Sequence, residues 1–190
     1  MPYRNPIATA KMLATIDRMS GGRLIAGVGA GWNEAEFNAL EVTFRERGAR
    51  TTEYLRVWQV CWAPGNVSFA GRFVTFADMH VSPKPLQQSH APIWGGGSSD
   101  AALRRAAAIG AVWQPTLTPI ADLVERQAAL RKACDLIGRQ PPPETRHAHR
   151  GRRSITLPRG SGSECLSDQL SWQPRSWPAP RCDGLLHAGS

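Results

Sequence analysis

Two glycine clusters hold the residues best suited to chemistry in this chain. The first, Gly27-Val28-Gly29-Ala30-Gly31-Trp32, ends a short apolar run, and the second is Gly95-Gly96-Gly97-Ser98-Ser99-Asp100. Glycine directly after a strand lets backbone N–H groups approach a ligand that a side chain would hold off. In the second cluster a serine then opens a helical run. It adds hydroxyl donors, the unpaired N–H groups of a helix start and the positive end of its dipole. That combination suits a phosphate group. An ordinary strand-to-helix turn with serine as N-cap would read the same way, and Asp100 counts against an anion unless its side chain points elsewhere. The first cluster is not the dinucleotide fingerprint, because the third glycine of G-x-G-x-x-G would fall at position 32, which is tryptophan. It reads either as a ligand-lining wall or as a strand end turning over the rim of a sheet.

Other polar groups carry less. His147 and His149 have no third ligand nearby, and His80 and His90 stand alone in loops, so no metal is expected. Arg45, Arg47 and Arg50 alternate with Glu41, Glu46 and Glu53, the pattern of a solvated helix face. The tryptophans fall mostly on core-facing positions and form no stacking stripe, which argues against a nucleic-acid partner despite a net charge of +8.

The elements that must position the clusters are legible up to residue 140. Asn5-Pro6 marks an N-cap followed by proline at the first helical position, and Ser20-Gly21-Gly22 ends that helix. Arg23–Gly29 is expected as a strand buried on both faces. Thr51–Trp62 reads as a second helix. Val67–Phe69 and Phe73–Phe76 flank Ala70-Gly71-Arg72 as a small hairpin. Pro92-Ile93-Trp94 leads into the second cluster, Ser98 or Ser99 caps a helix over Ala101–Ile109, and Ala111-Val112-Trp113 is a further strand. Thr118-Pro119 opens a last helix that Gly138 stops. Alternating helices and short apolar strands predict an α/β fold with a parallel sheet, either a barrel or a doubly wound sheet.

The chain has 190 residues and changes character near Pro141. Its last 50 residues contain no Val, Phe, Tyr, Met or Lys, while Arg, Pro and Ser occur seven times each. Residues 1–140 are therefore expected to form the domain, and 141–190 a disordered tail or one translated out of frame. No apolar run approaches the length of a membrane helix. The four cysteines form no C-x-x-C pair, and no signal-peptide pattern opens the chain, so a cytoplasmic protein away from the membrane is expected.

With these elements in place, the sequence resembles the luciferase-like monooxygenase family, the flavin and deazaflavin oxidoreductases related to bacterial luciferase and coenzyme F-420-dependent enzymes. The resemblance rests on Met19-Ser20-Gly21-Gly22-Arg23-Leu24, then Gly27 to Trp32 with Glu36-Phe37, then Glu46-Arg47-Gly48. Phe69-Ala70-Gly71-Arg72-Phe73, Pro83-Lys84-Pro85, Pro92-Ile93-Trp94, Gly96-Gly97 and Trp113-Gln114-Pro115 follow in order. It implies a (β/α)8 TIM barrel with its cofactor at the C-terminal ends of the strands. Gly29, Ala30, Gly31 and Trp32 would line the cofactor wall, and Gly96, Gly97, Ser98 and Ser99 would hold its phosphate. F-420 is the expected cofactor, with FMN the alternative. The implied activity is hydride transfer to, or oxygenation of, a small organic substrate, and a homodimer fits the family. No catalytic acid or base is assigned. A whole barrel takes about 250 residues, so a partial barrel truncated at both ends is expected, and a non-catalytic remnant of such an enzyme is the rival reading.

Overall fold

A computed structural model describes residues 2–115, 119–140, 144–148 and 154–157. Thr118, His149, Cys165 and Cys182 lie outside the described residues, as does most of the stretch 141–190. The element order is α1 (Pro6–Met19), β1 (Ala26–Val28), α2 (Glu34–Ala39), a 3-10 turn (Phe44–Glu46), α3 (Arg47–Trp62), β2 (Asn66–Ala70), β3 (Thr75–His80) and β4 (Ile93–Gly96). Next come α4 (Asp100–Ile109), β5 (Val112–Gln114), α5 (Ile120–Asp135), β6 (Glu144–Ala148) and β7 (Ser154–Leu157). The last two strands fall within the segment 141–190.

One sheet runs in the order β1-β4-β5-β6-β7, parallel through β6 and antiparallel at β7, while β2 and β3 form a separate hairpin. Among the parallel strands every crossover advances in the same direction, with no reversal of order. A doubly wound sheet requires such a reversal, and a barrel does not. Helices α1, α3, α4 and α5 lie on one face. Ala26 and Val28 are in register with Ile93 and Gly95, and Gly95 with Trp113. On that face Ala26, Val28 and Ile93 pack with α1 and α3, and Trp113 packs with α4 and α5. The result is α/β, a partial (β/α)8 barrel with its helical layer on one side.

The opposite face departs from the expectation for β1. The strand is three residues long, and Gly27 is exposed between buried Ala26 and Val28. Across the sheet, Trp94, Gly96 and Gln114 on the same side are half-buried, and Val112 is buried. A parallel sheet buries both faces only when each is covered, by helices or by the interior side chains of a closed barrel, and here helices cover one face of β1.

Local chemistry explains the element ends. The Asn5 side chain accepts the N–H groups of Ile7 and Ala8 at 2.9 and 3.1 Å, as its place before Pro6 predicts. Helix α3 begins four residues before the expected Thr51. There the Thr51 and Thr52 hydroxyls bond the carbonyls of Arg47 and Gly48 at 2.7 and 3.0 Å, so Gly48 sits inside the first turn. The hairpin turn is longer than expected because Glu53 of α3 takes the N–H groups of Arg72, Phe73 and Val74 at 2.9, 2.8 and 2.9 Å. Those amides cannot serve a strand ladder. A Cβ on Gly71 would stand 2.5 Å from the same carboxylate, which is why glycine occupies the tip. The Pro83-Lys84-Pro85 segment carries Lys84, whose ammonium donates to the Cys61 carbonyl at 3.0 Å, a cation on the C-terminal end of α3.

Two packing nodes hold the sheet's first strand. Asp17, completely buried near the end of α1, accepts the N–H groups of Leu86 and Gln87 at 2.7 and 3.0 Å and the Gln87 side-chain amide at 2.7 Å. That amide also donates to the Leu24 carbonyl at 2.8 Å. Burial alone would raise the Asp17 pKa, but these donors outweigh it and hold the carboxyl below its ordinary value. The second node is aromatic. Phe37, fully buried on α2, meets Tyr3 and Phe44 edge-on at 4.6 and 5.1 Å between centroids. Gly31 lies against it at φ +85°, and a Cβ there would come within 2.9 Å of both Phe37 and the Tyr3 hydroxyl.

Two measurements test these nodes. Asp17→Asn is expected to cost about 1–3 kcal/mol at neutral pH, read by denaturant unfolding. Because the folded pKa is depressed, the ionised group's contribution is present above the unfolded value and lost as pH falls through the folded one, below about pH 4. The wild type should therefore lose its advantage over the Asn variant in acid; an advantage independent of pH would refute the assignment. Gly31→Ala is expected to cost about 1–3 kcal/mol through its positive φ and the aromatic clash. Gly29→Ala, whose Cβ would meet nothing within 4 Å, should change stability by less than about 0.5 kcal/mol.

Candidate functional site

Strands β1 and β4 are hydrogen-bonded neighbours running in the same direction. The segments leaving their C-terminal ends, Gly29–Trp32 and Gly97–Ser99, therefore emerge at the same edge of the sheet. Both candidate clusters meet there, although more than sixty positions separate them in the chain.

The β4 side is built around glycine. A Cβ on Gly96 would point at the backbone, 3.3 Å from the Val28 carbonyl and 3.8 Å from that of Gln114, so a side chain here crowds β1 and touches β5 at an ordinary distance. Gly97 turns the chain at φ +97°, and a Cβ there would press on Ala102 at 3.2 Å. Of the two serines, Ser99 is the cap: its Oγ accepts the Ala102 N–H at 3.3 Å and its carbonyl accepts that of Leu103 at 2.9 Å. Ser98 precedes the cap and is half-buried. The N–H groups of Asp100 and Ala101 stand in the first turn, where a helix offers no internal acceptor. Asp100, the residue at odds with an anion, is paired with Arg126 of α5, its Oδ1 accepting from Nη1 at 3.0 Å. The sequence held no sign of that pairing, since the partners lie on different helices.

The β1 side is open. Neither Gly27 nor Gly29 would bring a Cβ within 4 Å of another atom, so the inner face of this strand has free space where side chains would stand. Ala30 is half-buried, Gly31 rests on the Phe37 node, and Trp32 is 85% exposed. The exposure of Trp32 departs from the core-facing position expected for most tryptophans here. Glu36 accepts the Tyr3 hydroxyl at 2.9 Å, and the Tyr3 ring packs on Phe37, the support of this loop.

Reactive side chains lie elsewhere. Cys61 and Cys134 are fully buried free thiols, and burial raises the pKa of each, so both are packing residues. His90 is packed against Trp62, its ring 5.6 Å away, and is not the loop-surface histidine expected. Arg105, whose pKa burial lowers, donates to the Thr52 hydroxyl and the Gly48 carbonyl, both at 3.1 Å, and clamps α4 to the start of α3. Among the described residues no group of three or more His, Cys, Asp or Glu is placed to hold a metal ion. No described helix is long and apolar enough to cross a membrane.

Comparison with known proteins gives a consistent picture. The chain is 43% identical over 101 residues to an FMNH(2)-dependent dimethylsulfone monooxygenase of Pseudomonas putida, a match covering 52% of this chain and 28% of that protein. The fold resembles the monooxygenase RslO1 from Streptomyces bottropensis, with a TM-score of 0.67, 26% identity and coverage of 74% of this chain and 44% of the other. An F420-dependent secondary alcohol dehydrogenase in complex with an F420-acetone adduct shares the fold at a TM-score of 0.65 and 22% identity, over 75% of this chain and 44% of that one. The chain thus spans less than half the length of each. A family model for luciferase-like monooxygenases matches residues 1–154, and the chain belongs to that family.

Proposed function

We propose that the chain forms the phosphate-holding and ring-facing part of a flavin site, in a flavin-dependent oxidoreductase that acts on a small organic substrate by hydride transfer or oxygenation. One observation carries this reading: the two glycine clusters leave adjacent parallel strands at one edge, beside a sheet face where Gly27, Gly29 and Gly96 present backbone next to Trp94. A flat ring system fits against the open surface at Gly27 and Gly29. A phosphate fits at the start of α4, where the first-turn N–H groups and the helix dipole favour an anion. There Arg126 offsets the charge of Asp100.

Reduced FMN is the favoured cofactor, supported by the Pseudomonas putida relative. F-420 is the second reading, supported by likeness of fold to an enzyme that binds it. When bound, either group supplies the redox chemistry, the flavin alone also activating oxygen. The protein's part is to bind and orient. Gly96 and Gly97 permit close approach of the backbone, Ser98 and Ser99 flank the phosphate, and Gly29, Ala30 and Gly31 form the wall. Trp32 stands at the rim as an exposed aromatic surface for cofactor or substrate. Glu36, engaged by Tyr3, supports the wall and is not the acid or base of the reaction.

The test is a titration of the 190-residue chain with FMN and with F-420 in parallel, followed by fluorescence polarisation. Saturable binding is expected, with the tighter ligand deciding between the two cofactors. Gly96→Val should weaken it at least about tenfold, because the added side chain presses on the Val28 carbonyl of β1. A folded chain that binds neither ligand would instead match the non-catalytic reading.

A further inference from the structure

The proposed phosphate seat depends on which way one peptide plane faces. A peptide carries its carbonyl and the following N–H on opposite sides of a rigid plane. Turning the Gly97–Ser98 plane over would exchange a positive group for a negative oxygen beside the start of α4. Glycine makes such a turn easy, having no Cβ to hinder rotation. A donor on the neighbouring strand can fix the orientation.

Trp113 does so. Its indole Nε1–H donates to the Gly97 carbonyl at 2.9 Å. The donor is rigidly placed, because Trp113 is completely buried on β5 and packs against Leu103, Ala106 and Ala107 of α4. Its backbone is in register with Gly95, two residues before the bond it makes. A buried indole N–H is costly to leave unpaired, so the bond fixes donor and acceptor alike. The carbonyl oxygen of Gly97 is drawn toward the core between β5 and α4 and held away from the anion's place.

Resting on the flavin-site reading, we propose that Trp113 is a positioning residue for the phosphate seat: its indole N–H locks the Gly97–Ser98 peptide in the orientation that lets the site distinguish a phosphorylated flavin from an unphosphorylated one. Trp113 does not touch the ligand. Its effect is confined to the phosphate, because the open face at Gly27 and Gly29 lies across β4 from it.

The experiment compares FMN with riboflavin, which has the same ring and no phosphate, on the full chain and on its Trp113→Phe variant. Phenylalanine keeps an aromatic ring in the core and removes the N–H together with part of the indole's volume, a packing loss that riboflavin binding controls for. The wild type is expected to bind FMN more tightly than riboflavin. The variant should lose about tenfold in FMN affinity, the scale of one hydrogen bond, with riboflavin affinity unchanged. Equal loss for both ligands, or an FMN preference that survives, overturns the role of Trp113 and leaves the flavin site standing. A wild type without preference for FMN overturns the phosphate seat itself, and the inference with it. If the variant fails to fold, the wild-type Trp113 indole N–H resonance decides. It should shift with FMN and stay unmoved with riboflavin, and an indole signal indifferent to bound FMN refutes the proposal.

Discussion

The carboxylate of Asp17 ties together three segments that the chain keeps far apart. It stands at the end of α1, gathers the backbone of Leu86 and Gln87 ahead of β4, and through the Gln87 amide reaches Leu24 at the entry to β1. A buried charge is tolerated only when hydrogen bonds replace the water it has lost. Here these donors do so, and in return the two strands that carry the candidate site are fixed at their N-terminal ends. Their C-terminal ends, where the glycine clusters emerge, are thereby set side by side.

Much of this was readable in the residues. Asn5-Pro6 and the Ser98-Ser99 pair mark helix starts by their own side-chain chemistry, the structure selecting Ser99, and the glycines at 21, 22, 97 and 138 stand where the chain takes a positive φ. These are local signals, carried by the residue that needs them. The features that escaped depend on partners distant in sequence. The true turn of the hairpin follows from Glu53, about twenty residues upstream, and the neutralisation of Asp100 follows from Arg126 on another helix. The early start of α3 was hidden because Gly48 suggests a break, while the threonines that stabilise that turn are unremarkable alone.

Periodicity also had a blind spot. A run of small apolar residues looks alike whether one face of a strand is covered or both, since glycine fits either. Only the helical layer decides, and here it lies on one side of β1. The choice between barrel and doubly wound sheet was likewise absent from local pattern, because it resides in the order of strands. Strands β6 and β7 lie in a segment whose composition suggested no structure; β7 pairs antiparallel against β6, a contact that no short-range signal encodes.

The glycines of the inner face have a last consequence. Gly27, Gly29 and Gly96 present backbone where most binding surfaces present side chains. At those positions there are no rotamers to freeze, so a molecule resting on them loses no affinity to ordering side chains beneath. Such a surface also has few means of telling one flat molecule from another. Discrimination must then come from the margins, where the start of α4 and the indole of Trp32 stand; exposed Trp32 can change in sequence without disturbing the helical layer behind the sheet, whereas Gly97 and Ser99 are bound to how α4 begins.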